Sequence, residues 1–580
     1  MGEHFVLNTA GFNNNFFRNK YFLNFFMIFL FLVTSFLMVI WFLKVDRLYG
    51  ANDFSFHASR VQQIFENLRR GSFFTFIATD SFQKTGVGTF LFYPSLFLYP
   101  WAFLMLHFSA IHAFYLWYFL FTFVTFLISY FCMLNFSKSP LKSVIFSFLY
   151  VVCPYRLYTG QWVLGEFLVS TFLPLVFLGF YAIIKGDYKK WPLLSIGLSL
   201  VAYNHILSVF LLLEILTVLF VCKIIFGSGL ALKRVLYLGM SALLTLLLVL
   251  PVLIPFLSDF VGKGISSTYR SITMLPDASV VFQDSLSNHV IGSSIGTIFL
   301  ITLLIGWYFI KLDDDQKIFY WVGVGCTLIA TSIFPWKSFN NTILATVQLS
   351  FRYLMYSSFF LALTATTIIA HLSSSYTFHK FKSFSIYLFS FIFMLLSLLL
   401  FYGSTSGICA TISTYNPHNS LQKAPQGHPQ PIQPAVQLDQ KNYHYQFDYS
   451  VLFGETDYYP NKALKHKDSI INNLTYIDKK KVHLPVFSSA NQLTYKLNLS
   501  KKAQVDLPVL AYSQTYLKVN GKSSHYSISN RGTVTKSLSK GFYKLSVGYR
   551  PPFLYYLGLT ITLCTWLLMT IFFIFKKLHA

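Results

Sequence analysis

The sequence predicts a polytopic all-α membrane bundle with a β-rich domain set before its last helix. Three observations carry that expectation. The 580 residues are 54% hydrophobic and 19% aromatic but only 11% charged, whereas soluble domains average roughly 25% charged. Apolar runs recur through residues 21–403 and return at 553–575, and most approach the ~20 residues a helix needs to cross a bilayer. Between them, residues 404–550 become polar and alternate in the manner of strands.

The net charge of +24 would point to nucleic acid in a soluble chain. Here many Lys and Arg sit in short loops between apolar runs, where positive charge sets topology and suits anionic membrane lipids, so nucleic acid is excluded as a partner. Cys132, Cys153, Cys222, Cys326, Cys409 and Cys564 are scattered and form neither a disulfide framework nor a CxxC metal site.

Taken in order, residues 1–20 end on Arg18 and Lys20 and place the N-terminus in the cytoplasm. The first span, 21–43, is long enough to cross and lacks a small-residue cleavage site, so it is not a signal peptide. A long first outer loop, 44–112, follows. Its apolar run 95–108 is too short to cross and reads as a helix lying in the interface. Further spans are expected at 113–135, 143–153, 165–184, 191–204, 206–226, 235–257, 293–311, 317–334, 345–370, 384–403 and 553–575, about twelve in all. Inside loops then hold Lys138 and Lys142, Lys185 to Lys190, Lys223 to Arg234, Lys311 with Lys317, and Lys380 with Lys382. Both termini fall in the cytoplasm.

The domain division is 1–403 for the bundle, 404–550 for an external β-rich domain, and 551–580 for the last helix and its tail. The β-rich part opens near a Pro-rich stretch, 426–434. It shows alternation at Val505, Leu507 and Val509, a hairpin signal at Asn520-Gly521, and a closing strand over 541–547.

Candidate site residues gather at the outer span ends. In the stretch from Asn52 to Arg60, Asp53, His57 and Arg60 fall at i, i+4 and i+7, hence on one helix face. An acid, an imidazole and a fixed cation so placed suit proton handling beside an anionic substrate. The rival reading is an N-cap at Asp53 with a wetted face behind it. Tyr155, Arg156, Glu166 and His205 lie at other outer loops, and Arg352 lies just inside the end of its span. Ionisable groups at membrane depth usually face a cavity. For Glu166 and Arg352 the alternative is a structural ion pair between helices. The chain has no P-loop, no HExxH and no nucleophile elbow.

Four ordered segments carry a resemblance: Asn52 to His57 with Arg60, Phe92-Tyr93-Pro94-Ser95-Leu96, Pro154-Tyr155-Arg156 through Gly165-Glu166, and Asn204-His205 through Ser208. Val347-Gln348 to Arg352-Tyr353 and Tyr516 to Gly521 fit as well. Together they resemble bacterial membrane proteins described as 6-pyruvoyl-tetrahydropterin synthase-related, close to the YfhO-like group, a branch similar to the GT-C glycosyltransferases. No soluble pterin-synthase zinc site is visible.

The resemblance implies a bacterial plasma-membrane enzyme that acts on the outer face. It would move a sugar, with inversion, from a polyprenyl-phosphate-linked donor to a cell-envelope glycan or glycopolymer acceptor, such as a teichoic acid or surface polysaccharide. Asp53 matches the first-loop acid and would be the base, with His57 orienting it or sharing the proton. Arg60, Arg156 and Arg352 would be offered to the donor phosphate. Tyr155, Glu166 and His205 would line the pocket. Asp53 with His57 departs from the paired acids of some metal-using relatives, which leaves a divalent metal open and calls for no other cofactor. The competing classes are a transporter or flippase of a lipid-linked sugar and a non-catalytic envelope scaffold. No internal repeat or paired interrupted span favours the transporter.

Overall fold

The computed structural model describes residues 20–50, 53–226, 230–266, 272, 274–309, 314–340, 342–375, 382–414, 437–441, 443–444 and 456–578. Asn52, the N-terminal basic flank at Arg18, the loop lysines Lys311 and Lys380, and the Pro-rich stretch 426–434 lie outside the described residues.

Among the described residues, seven helices are long and apolar enough to cross a membrane: Tyr21–Val45, Ala110–Ser137, Leu164–Ile184, Ile206–Ile225, Ser350–Ser373, Ile386–Ser404 and Phe553–Lys576. A helix pair, Leu232–Leu248 with Leu250–Phe260, makes an eighth if taken as one bent span. Large apolar side chains stand exposed on these helices, including Leu399 at 70% and Leu568 at 66%. Such surfaces suit lipid and mark a multi-pass membrane protein.

Seven of the twelve expected spans thus have crossing length and the bent pair makes an eighth, while four are not confirmed as crossings. The other four expected spans are helical but short: Pro140–Val151 has 12 residues, Pro192–Ala202 has 11, Thr297–Phe309 has 13 and Asp314–Ile329 has 16. At about 1.5 Å per residue their described lengths come to roughly 17–24 Å, against a core of about 30 Å. The run at 95–108 folds into a 3-10 turn, Leu96–Leu98, and a six-residue helix, Tyr99–Leu104, too short to cross.

The bent pair has an identifiable cause. It turns by 68° at its break, where Pro251 follows Leu250. Proline has no N–H to return to the carbonyl four residues earlier, which breaks or kinks a helix. That carbonyl, Leu247 O, accepts from Thr562 Oγ1 at 2.7 Å, and Leu248 O accepts from the Tyr203 hydroxyl. The last helix therefore satisfies the one backbone carbonyl that the proline frees. Beyond the bend the chain winds into a π-helical turn, Phe256–Phe260, which carries Asp259.

Two short strands, β1 (Leu48–Tyr49) and β2 (Gln437–Leu438), pair antiparallel and tie the first loop to the segment before the β-rich region. That region begins later than the expected 404. The helix ending at Ser404 is followed directly by another, Ser406–Ser413.

From residue 474 the chain forms ten strands: β3 (Leu474–Ile477), β4 (Lys480–His483), β5 (Val486–Ser489), β6 (Gln492–Leu499), β7 (Ala503–Leu510), β8 (Thr515–Val519), β9 (Lys522–Ser524), β10 (Ser527–Ile528), β11 (Thr533–Leu538) and β12 (Gly541–Tyr549). They make two five-stranded antiparallel sheets, ordered β10-β11-β7-β3-β4 and β5-β6-β12-β8-β9. Inward side chains such as Leu493, Tyr495, Val505, Leu507, Leu517 and Val547 form the core between them. The expected hairpin is present: Val519 pairs with Lys522 across Asn520 and Gly521, at φ 49° and 84°. Positive φ at both central residues is what a tight two-residue hairpin requires.

The sandwich is fastened to the bundle through the first loop and the π-helical turn. Asn491 Oδ1 accepts from Phe76 N at 2.7 Å, Thr79 Oγ1 donates to Ser489 O, and Tyr512 OH accepts from Gly88 N. The buried Asp259 carboxylate accepts from Ser513 N and from the Tyr549 hydroxyl, both at 3.0 Å.

Candidate functional site

The first-loop helix, Phe54–Arg69, lays Phe54, Ala58 and Val61 into the apolar core, where Phe54 meets the rings of Trp101 and Phe114. This packing fixes the rotation of the helix and sets where His57 and Arg60 lie. Both are buried, His57 at 2% and Arg60 at 0% exposure, so the wetted-face reading does not hold. Asp53 occupies the N-cap position without a side-chain cap bond, which leaves its carboxylate uncommitted to the helix.

Tyr93 stands at the centre. The Arg60 guanidinium lies 4.4 Å from its ring centroid, and the His57 and His205 rings lie at 5.5 and 5.3 Å. Arg60 Nη2 donates to the carbonyls of Tyr93 at 2.6 Å and Pro94 at 2.7 Å, and Nη1 approaches His57 Nδ1 at 3.4 Å. Arg60 therefore holds the Tyr93-Pro94 turn through Nη2. Gly165 makes room for the tyrosine, since a Cβ there would lie 2.3 Å from the Tyr93 hydroxyl.

A second group joins from three helices. Glu166 Oε1 accepts from Arg352 Nε at 2.8 Å, and Oε2 accepts from the Tyr155 hydroxyl at 2.7 Å. Arg352 Nη1 donates to Val347 O at 2.8 Å. The interhelical ion pair expected as the alternative is therefore real, yet it leaves Arg352 Nη2 without a hydrogen-bond partner among the described residues. His205 Nδ1 is hydrogen-bonded to Ser208 Oγ at 2.8 Å. His57, Arg60, Tyr93, Gly165 and Asn204 line a small cavity of about 190 Å³ of empty space.

Arg156 is the residue that does not join. It is buried with its guanidinium over the Phe167 ring at 4.4 Å and its Nη2 on Thr125 Oγ1 at 2.7 Å. It braces helix packing, and the phosphate role expected for it is corrected.

The structure adds Asp457, which the sequence reading missed. It belongs to the segment 456–460, held by a two-way bridge in which Tyr458 N donates to Ser266 O and Ser266 N donates to Tyr459 O. Tyr512 OH donates to Tyr458 O, so the sandwich also steadies this turn. Burial raises the Asp457 carboxyl to about 7, helped by the charge of Asp53. Burial likewise raises Asp53 to about 6, opposed by Arg352 and reinforced by Glu166. His57 is held well below its usual range by burial, then by Arg60 and His205. His205 is lowered to about 3 by burial, then by Arg352 and Arg60. Burial thus pushes both carboxyls toward neutrality and keeps both imidazoles in their uncharged forms.

Among the described residues no group of three or more His, Cys, Asp or Glu is arranged to hold a metal ion. No protein-family model matches the chain, and comparison with curated proteins finds no match.

Proposed function

We propose that the protein is a membrane glycosyltransferase of the GT-C type, using a polyprenyl-phosphate-linked sugar and a cell-envelope acceptor at the outer face of a bacterial plasma membrane. The observation that carries the reading is the Asp53 carboxyl at the start of the buried first-loop helix, uncommitted as a cap and in electrostatic reach of Arg352 and Asp457. Two carboxyls raised toward neutrality by burial suit general acid–base work. A cation already anchored on one edge suits an anionic leaving group.

In this reading the acceptor hydroxyl oxygen attacks the anomeric carbon as the bond from that carbon to the phosphate oxygen breaks. Asp53 takes the hydroxyl proton. The lipid phosphate leaves with the bonding pair, and its charge meets Arg352 Nη2. A single displacement inverts the anomeric centre. His57, neutral and held by Arg60, supports the Asp53 end of the helix instead of carrying charge. Tyr93 and His205, their rings 5.3 Å apart, form an aromatic wall suited to a sugar face.

The test compares purified wild type with Asp53→Asn in transfer from a panel of polyprenyl-phosphate sugars to envelope glycans. Loss of a general base predicts a fall of about 10²–10⁴-fold. Equal rates would move the base away from Asp53. No transfer by wild type across the panel would overturn the reading in favour of transport. Wild-type transfer should also fall as pH drops through about 6, where Asp53 takes up a proton.

A further inference from the structure

At the opposite end of the Leu164–Ile184 helix from Glu166, about 28 Å away at 1.5 Å per residue, the bundle opens into a second cavity. Its empty space, including the open mouth, is about 820 Å³. Met133, Phe146, Phe177, Phe319, Phe359 and Leu363 make its walls. Nothing in those walls offers a hydrogen bond to a sugar, so the interior suits a hydrocarbon chain.

The mouth is different. Lys185, Lys223, Tyr181 and Asp315 stand there. Asp315 is already engaged: Lys185 pairs with it, and the Tyr181 hydroxyl donates to its other oxygen at 2.9 Å. Lys223 is half-buried and has no ion-pair partner among the described residues. A partly desolvated ammonium beside apolar walls is costly unless an anion meets it. Nearby, Arg234 donates to the carbonyls of Ile183 and Gly186, and Lys190 to Asn135. The rim is therefore basic well beyond the one lysine, and basic pockets between membrane helices are suited to anionic head groups.

We propose that this cavity binds one anionic glycerophospholipid, with an acyl chain between the Phe177 and Phe359 walls and the phosphate at Lys223. The chain and the charge are required together. A free phosphate would leave the apolar walls facing water, and a zwitterionic lipid such as phosphatidylcholine brings a trimethylammonium that already partners its phosphate and competes with Lys223. The site is distinct from the Asp53 cluster and does not depend on the transferase reading.

The test is native mass spectrometry of the full chain in detergent, titrated with phosphatidylglycerol or with phosphatidylcholine of the same acyl chains. Wild type should retain one phosphatidylglycerol about ten-fold more tightly than phosphatidylcholine. Lys223→Gln should bring the two lipids level, Lys223→Arg should keep the preference, and Leu363→Trp should weaken retention of both by filling the cavity. Equal retention by wild type, or an unchanged preference in Lys223→Gln, overturns the proposal. A thermal melt of each variant separates loss of binding from loss of folding.

Discussion

Asp53 and Asp457 each bind a proton more tightly in the folded chain than a free aspartate does, at about 6 and about 7, against about 3.9 unfolded. The sign follows directly. Their contribution to stability is fully present below pH ~4 and is lost as pH rises through 6 and then 7. Asparagine at either position removes that loss. We expect Asp53→Asn and Asp457→Asn to melt higher than wild type at pH 8, each by about 1 kcal/mol after allowing for their partial exposure, and to show no gain at pH 4. Calorimetry or tryptophan fluorescence at the two pH values checks this. The same substitutions should lower transfer, so stability and activity would move in opposite directions. Glu166 behaves otherwise. Glu166→Ala strands the buried Arg352 and should cost about 3–5 kcal/mol, readable as a lowered melting point at neutral pH. Gly165→Ala gains helix propensity, yet its methyl meets the Tyr93 hydroxyl. We expect transfer to fall at least ten-fold with little change in thermal stability.

At the scale of elements, the legible part was what short-range chemistry dictates. Every expected span is helical, because apolar composition leaves the backbone no other way to satisfy itself in lipid. The hairpin at Asn520-Gly521 was legible because those two residues accept positive φ. Helix length was not legible, since an apolar run does not announce where a helix stops. The run near 143–153 is ended by Cys153-Pro154, where a new short helix, Pro154–Trp162, begins. The bend at Pro251 yields a further expectation. Thr562→Val leaves Leu247 O unsatisfied and should cost about 1–2 kcal/mol. In a Pro251→Ala background the restored N–H can take that carbonyl, so the cost should shrink. A double-mutant cycle followed by thermal melting measures the coupling.

Across the whole molecule, the candidate site is assembled from segments far apart in the chain. Helical spacing brought Asp53, His57 and Arg60 into view. No local pattern could announce that Tyr93 and Pro94 would occupy the Arg60 guanidinium, that Arg156 would turn toward Thr125, or that Asp457 would arrive beside Asp53. Each depends on a contact made only after the chain has closed on itself. Asp259 is the joint on which this closure turns, since its one carboxylate holds both Ser513 and Tyr549 of the sandwich. Asp259→Ala should loosen the sandwich from the bundle, seen as faster limited proteolysis between 456 and 474, and should lower transfer while leaving Asp53 in place.

The distance in sequence between the two carboxylates also has a temporal side. Asp53 leaves the ribosome with the first loop, whereas Asp457 emerges only after every candidate span but the last has been made. A nascent or prematurely ended chain can enter the membrane with half of its acid pair and none of its sandwich. On the transferase reading proposed above, the acid pair is complete only when the chain is nearly finished.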